Sequence, residues 1–552
     1  MVHKEPLLMT SARAIIECMK IEAIEKVFCV PGESYLPVMD AILHEPSMKL
    51  ISARHEGGAS FMAEGYAKAT GKPGVVMATR GVGGSNLAIG VHTAYQDSTP
   101  LVVFLGQVHS SFRGREGFQE IDLAHFFSPI AKWAVEIDDP VRIPELVHRA
   151  FRIAQTGRPG PVVISLPEDL LVKEANMEFQ NPTVRPCPAP SQKEIKLVEE
   201  YMQKAERPLI IAGGGVKIAG AEDTLIQFAE KCDIPVMAAF RRQDVFPNNH
   251  RLYAGHLGLG TEKSIIQTVK EADFILSVGT RLSEITTQDY TIFNKGQTLI
   301  HMDINDETLG KVYALDVGIV ADAKEGLKAL LTLTAPNRRN WTTKRREIYQ
   351  SSLSLPVNNN WNQRIIALLQ EHLPNDAILT NDAGNFAGWL HKYYQFNYKK
   401  TYIGPTSGAM GYGLPAALGA KLAHPGRIVV SLSGDGGFLM TMQELETAVR
   451  YNIPVISIVF NNCMYGTIRM HQEMRYPFKT IGTDLGKVPF SDMAVQLGAM
   501  GFYVKNPEEF EQALLGALEC QEPALIEIES DAEQISVSST IQQIRQRAAD
   551  QS

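Results

Sequence analysis

Apolar residues along this chain cluster in short, β-branched runs set between longer stretches of helical spacing. Val75–Ala78, Leu101–Leu105 and Val162–Ser165 are such runs in the first third, with Pro208–Ala212, Phe274–Val278 and Thr298–Asp303 in the middle. Arg427–Ser433 and Val455–Phe460 continue the series near the end. Runs this short, without apolar–polar alternation, predict strands buried on both faces, as in parallel sheets flanked by helices. The pattern divides into three α/β blocks, 7–170, 192–333 and 361–530. NPTVRPCPAPS at 181–191 carries four prolines, disfavours regular structure and joins the first two blocks. A polar stretch around 335–360 (APNRRNWTTKRRE, then PVNNN) reads as the separator of the last two. No short repeat of solenoid type runs through the chain, so any fold shared by the first and third blocks is hidden at this level.

Two strand ends of the third block carry oxygen ligands: Asp435 in GDGGF (434–438) and Asn462 in VFNNCMYG (459–466). Between them, Thr441 and Glu444 have capping-box spacing and predict a helix from there to about Tyr451, ended by Pro454. A right-handed crossover brings two such strand ends side by side, at the edge where open parallel sheets bind ligands. Gly434, Gly436 and Gly437 let backbone approach phosphate oxygens, and the following helix N-terminus adds partial positive charge. Mg²⁺ takes oxygen ligands and joins carboxylates to phosphates, so the pair suits a Mg²⁺-diphosphate. Either motif alone is an ordinary turn.

Two further segments draw notice. Glu56 follows the strand Lys49–Ser52 and opens a helix with Ala59, Met62, Ala63, Tyr66 and Ala67 on one face. Met410 lies in the glycine-rich run TSGAMGYGLPAALGAK, 406–421. By default these are a first-turn carboxylate favoured by the helix dipole and a core-filling Met.

Charge and composition narrow the class. With 53 basic and 61 acidic residues the net charge of −8 argues against a nucleic-acid surface. No apolar run approaches membrane-spanning length, and the N-terminus lacks a signal-peptide core. Six cysteines, at 18, 29, 187, 232, 463 and 520, are scattered without CxxC spacing and read as reduced thiols of a cytoplasmic protein.

Taken together, these segments resemble the thiamine-diphosphate-dependent enzymes. RHE-G-A-x-x-M-AEGYA-x-A-x-GKPGV is similar to the acetolactate synthase-like branch, of the large catalytic subunit type. The resemblance implies three doubly wound parallel-sheet domains: pyrimidine-binding, central Rossmann-like and diphosphate-binding. It implies that the Met464 carbonyl joins Asp435 and Asn462 on Mg²⁺, with Tyr465, Gly466 and Thr467 lining the diphosphate. Glu56 would hydrogen-bond the aminopyrimidine ring, so that the cofactor's own amine, as imine, takes the C2 proton. Met410 would wedge between the two cofactor rings and the Gly408 carbonyl would accept from the amine. Gln119, in GREGFQEID, would approach the reactive end, and Gly384 and Asn385 of NDAGNF would meet the diphosphate, with Phe386 where relatives carry His.

The implied reaction is decarboxylation of a 2-oxo acid followed by carboligation, first expected as two pyruvates to 2-acetolactate. The alternatives are a simple decarboxylase, a C–C lyase or a flavin-linked oxidase. A homodimer is the implied minimum and a homotetramer the common assembly, while a regulatory subunit is left unassigned. Three segments depart from the family pattern: Arg80-Gly81-Val82-Gly83 for S-G-P-G, His471 for a Trp, and Arg281-Leu282-Ser283-Glu284-Ile285 for R-F-D-D-R. FAD stays open, because Gly213–Gly215, Asp303 and Asp322 suit a nucleotide edge but Ile218 breaks the GxGxxG spacing. His55 and His109 flank cofactor segments, with a structural role as the default.

Overall fold

The computed structural model of the chain describes residues 6–334, 336, 338–353 and 360–550. Among these residues are three six-stranded parallel sheets and one two-stranded antiparallel ribbon, Leu7–Thr10 with Glu174–Met177. The first sheet has the spatial order Lys49–Ser52, Lys26–Cys29, Gly74–Thr79, Leu101–Gln107, Pro161–Pro167, Trp133–Glu136. The third has Tyr402–Ile403, Ile378–Asn381, Val429–Gly434, Ile456–Asn461, Ala524–Glu529, Met500–Val504. Counted within their own domains, both sheets read 2-1-3-4-6-5, so the first and third blocks share a topology. The middle sheet reads 3-2-1-4-5-6, the dinucleotide-binding order. Helices cover both faces of each, which explains why inner strands such as Leu101–Gln107 and Ile456–Asn461 are buried throughout.

The stretch read as a separator contains a helix, Arg339–Leu353, while 354–359 lie outside the described residues. Its buried residues, Trp341, Thr342, Arg345, Tyr349 and Ser352, form one face. The Trp341 indole donates to the Pro208 carbonyl at 2.8 Å and the Arg345 guanidinium lies 4.1 Å from the Trp341 ring centre. Its buried stripe includes an arginine stacked on an aromatic ring, so polarity disguised a packed helix as a linker.

Helix Glu56–Thr70 of the first domain packs on Gly413–Ala423 of the third at near-backbone contact. A Cβ at Gly65 would lie 2.5 Å from the Ala416 carbonyl oxygen, and one at Gly419 only 2.1 Å from that of Met62. One hydrophobic core runs through both domains here. Asp97, at the end of helix Arg80–Asp97, receives Lys68 of its own domain, Arg242 of the central domain and Thr406 of the third.

Candidate cofactor site

Gly434 and Phe460 are paired in register, so their strands end at one level. Asp435 is the next residue on one strand, and Asn462 lies two residues on along the other. Cys463, with φ +55°, reverses the chain after Asn462. The main-chain N–H groups of Gly436, Cys463 and Met464 then face the Asp435 carboxylate. Burial outweighs these donors and pushes the Asp435 carboxyl up to about 6. Asn462 Oδ1 accepts the Met464 N–H at 3.3 Å. The first Asn of the pair serves the fold instead: Asn461 donates to Glu527 at 2.8 Å.

The Met464 turn is braced by residues 483–485, with Tyr465 N–H on the Thr483 carbonyl and Leu485 N–H on that of Cys463, both at 2.8 Å. Tyr465 lies over Gly436, where a Cβ would sit 2.6 Å from the ring. Gly437 is pressed against the Asp382 carboxylate, 2.8 Å from an added Cβ. Gly466 and Thr467 open the helix Gly466–Arg475, and Thr467 Oγ1 donates to Asn385 Oδ1 at 3.0 Å. Asn385 also donates to the Ile535 carbonyl at 2.8 Å, and Gly384 faces the Phe386 ring. Phe386, in the position of the family's His, stacks on Phe460 at 5.5 Å. The diphosphate candidates named from sequence therefore converge at this edge of the third sheet.

Asp382 was missed. It is wholly buried, accepts the Gly413 N–H, and burial raises its carboxyl to about 6. The signal in the sequence is the acidic second residue of NDAGNF, two positions before Gly384.

Glu56 is buried at the head of helix Glu56–Thr70, and its Oε2 accepts from Asn86 Nδ2 at 3.0 Å. Its Oε1 lies against Gly83, 3.2 Å from where a Cβ would be. Gln119, with φ +65°, offers its carbonyl to the Gly81 N–H at 3.0 Å, and its side chain is half-buried. Arg80 is not a free cation: it is buried and paired with Glu33 at 2.9 Å and Glu168 at 2.8 Å. His55 and His109 are helix caps, their Nδ1 atoms accepting the N–H of Gly57 and Ser111. His471 is exposed on helix Gly466–Arg475.

Met410 is half-buried, and Gly408 has φ +73°. This segment is tethered at its start by Thr406 on Asp97 and by Ser407 on Thr93, and at Ala409 by the Ala383 N–H at 3.1 Å. The capping box expected at Thr441 is absent. Thr441 donates to the Gly411 carbonyl, and the helix begins at Glu444, whose carboxylate reaches the Arg54 and His55 N–H groups. The competing main-chain donors lay in another domain, where spacing rules do not look.

A cavity of about 370 Å³ opens at the switch point of the central sheet, lined by Gly214, Arg242, Arg281, Asp303 and Asp322 among others. Its glycines answer to packing: a Cβ at Gly215 would lie 2.7 Å from the Gly279 Cα.

The first and third domains are doubly wound α/β units of one topology, a class of sheet that binds ligands beyond the carboxyl ends of its strands. Sequence profiles make the class specific. That of the thiamine pyrophosphate enzyme N-terminal TPP binding domain matches 9–126, the central domain 195–330, and the C-terminal TPP binding domain 382–528. The probable acetolactate synthase large subunit of Methanocaldococcus jannaschii is 35% identical, over 95% of this chain and 92% of that protein. The acetolactate synthase large subunit of Lactococcus lactis is 34% identical over 94% and 92%, and the isozyme 3 large subunit of Escherichia coli 32% over 93% and 92%. This chain belongs to the thiamine pyrophosphate enzyme family. No helix among the described residues is long and apolar enough to cross a membrane.

Proposed function

We propose that the protein uses thiamine diphosphate and Mg²⁺ to decarboxylate a 2-oxo acid and join the remainder to a second carbonyl, with two pyruvates giving 2-acetolactate and CO₂. One observation carries the reading: the buried Asp435 carboxylate beside Asn462, in a chain 35% identical to an acetolactate synthase large subunit over 95% of its length. The residues fit the group. A carboxylate whose burial disfavours its charge gains most from an adjacent divalent cation, and the surrounding N–H groups suit phosphate oxygens. Asp435, Asn462 and the Met464 carbonyl would hold Mg²⁺. Gly434, Gly436, Gly437, Tyr465, Gly466, Thr467, Gly384 and Asn385 would take the diphosphate.

Thiamine diphosphate, when bound, supplies the carbon nucleophile and the electron sink that CO₂ loss requires. The chain supplies geometry and proton placement. Glu56 would share a proton with the pyrimidine N1′, and Asn86 already occupies its Oε2 at 3.0 Å. Met410 would wedge between the two rings of the cofactor, the Gly408 carbonyl would accept from its amine, and Gln119 would approach its reactive end. Arg80, neutralised by two carboxylates, is not assigned to substrate.

The family resemblance implies that Glu56 of the first sheet and the Asp435 cluster of the third serve one cofactor from two different copies of the chain. The outer face of helix Arg80–Asp97 supports this, since Val82 and Ile89 are 50% and 45% exposed beside Asn86. A homodimer is then the smallest working unit and a homotetramer the expected assembly. A regulatory subunit is the partner to seek, because the relatives are named large subunits. The central cavity, with Arg242 and Arg281 beside a glycine-rich turn, is proposed for FAD. Its yellow absorbance in native protein is the direct test. Six free thiols suit a reducing cytoplasm.

Purified protein given pyruvate, thiamine diphosphate and Mg²⁺ should release CO₂ and acetolactate. Free acetaldehyde or peroxide instead would overturn the proposal.

A further inference from the structure

We propose that Glu444 is a positioning residue for Glu56: a carboxylate of the third domain that fixes the turn of the first domain from which Glu56 projects. The Arg54 N–H donates to both Glu444 oxygens at 3.2 Å, and the His55 N–H to Oε1 at 3.0 Å. Thr447 Oγ1 holds Oε2 from its own helix at 2.7 Å, and the Glu444 side chain is 0% exposed. The same helix, Glu444–Arg450, and the residue after it grip the strand end just before. Tyr451 Oη accepts the Ser52 N–H at 2.9 Å, and Arg450 donates to the Ser52 carbonyl at 2.8 Å. Main-chain groups of Ser52, Arg54 and His55 are thus fixed across a domain boundary, immediately upstream of Glu56.

This arrangement frees Glu56. A Glu in the first turn of a helix ordinarily folds back on the unpaired N–H groups there. Here His55 Nδ1 takes the Gly57 N–H of that turn at 3.0 Å, and Glu444 takes the Arg54 and His55 N–H groups just ahead of the helix. The Glu56 carboxylate turns to Asn86 instead. Gly58 completes the seat, because a Cβ there would fall 2.3 Å from the Glu444 carboxylate. Burial raises the Glu444 carboxyl to about 7, against the hydrogen bonds from Thr447, Arg54 and His55 that lower it.

The inference rests on the reading of Glu56 above, and the test separates the two. In cofactor-free Glu444→Gln, whose amide has a single acceptor oxygen, amide hydrogen exchange across 52–61 should quicken about tenfold while 429–438 stays unchanged. With thiamine diphosphate and Mg²⁺, kcat should fall at least about tenfold, while cofactor affinity and KM for pyruvate move by less than about threefold. Glu444→Asp should recover part of the loss. Gly58→Ala, which displaces the carboxylate with Glu444 and Glu56 both intact, should repeat the pattern. Unchanged exchange in 52–61, or protection lost uniformly with cofactor affinity, overturns the positioning role. Failure of the wild-type protein to bind thiamine diphosphate overturns the functional reading alone, since the exchange test needs no cofactor.

Discussion

Asp435 holds a buried carboxylate that has no ion pair with a protein cation among the described residues. Its folded-state value near 6 lies above the ordinary 3.8, because burial outweighs the three N–H groups facing it. The sign follows from linkage. A raised carboxyl favours the fold below its unfolded value, and that contribution is lost as pH rises through the folded one. Between these limits the cofactor-free protein loses about 3 kcal/mol at this residue alone. Thermal unfolding of cofactor-free protein should therefore show Asp435 opposing stability from about pH 4 to about pH 6. Asp435→Asn should flatten that share of the profile and remove the stabilisation that Mg²⁺ with thiamine diphosphate gives wild type at neutral pH. A variant still stabilised by the pair would take Asp435 out of the metal site. The place of Asp435 and Asn462 at neighbouring strand ends was legible because strand ends and glycine spacing are local signals, whereas Glu56 stood out only through the family resemblance. Asn86 and Glu444 were not legible, since Asn86 serves Glu56 from 30 residues away and Glu444 serves His55 from 389.

At the scale of elements, the join between helices Glu56–Thr70 and Gly413–Ala423 decides how the first and third domains meet. Gly65 and Gly419 let the two backbones touch, so neither position has room for a methyl group. Gly419→Ala should cost about 1–3 kcal/mol in denaturant unfolding through forced separation, despite alanine's better helix propensity. A neutral or stabilising result would mean that the helices slide apart without loss. The strands were readable from their β-branched runs because burial on both faces leaves little else for those residues to do. Helix Arg339–Leu353 escaped that logic, since its buried face carries Arg345 over Trp341 rather than aliphatic residues. The shared 2-1-3-4-6-5 order also escaped it, for pairing order depends on which edges meet and not on the composition of any one strand.

Across the whole molecule, Asp97 is where the three domains meet. It accepts Lys68 at 3.0 Å, Arg242 at 3.0 Å and the Thr406 hydroxyl at 2.8 Å. Burial alone would raise its carboxyl, but the Lys68 and Arg242 cations outweigh it and hold the group well below the usual range. This residue therefore contributes stability above its unfolded value that is lost as pH falls, opposite in sign to Asp435. Asp97→Asn removes the charge paired with Arg242 and leaves Lys68 to Glu64 at 2.9 Å, a change worth about 1–3 kcal/mol. Its reach is wider than stability. Thr406 begins the segment that carries Gly408 and Met410, and Arg242 lines the central cavity, so one side chain ties both places together. Asp97→Asn should accordingly weaken thiamine diphosphate binding in titrations while Glu56 and Asp435 remain intact. Arg242→Ala, made from the cavity side, should weaken it in the same direction. If thiamine diphosphate affinity holds in both variants while stability drops, Asp97 fastens the domains without setting the Met410 segment.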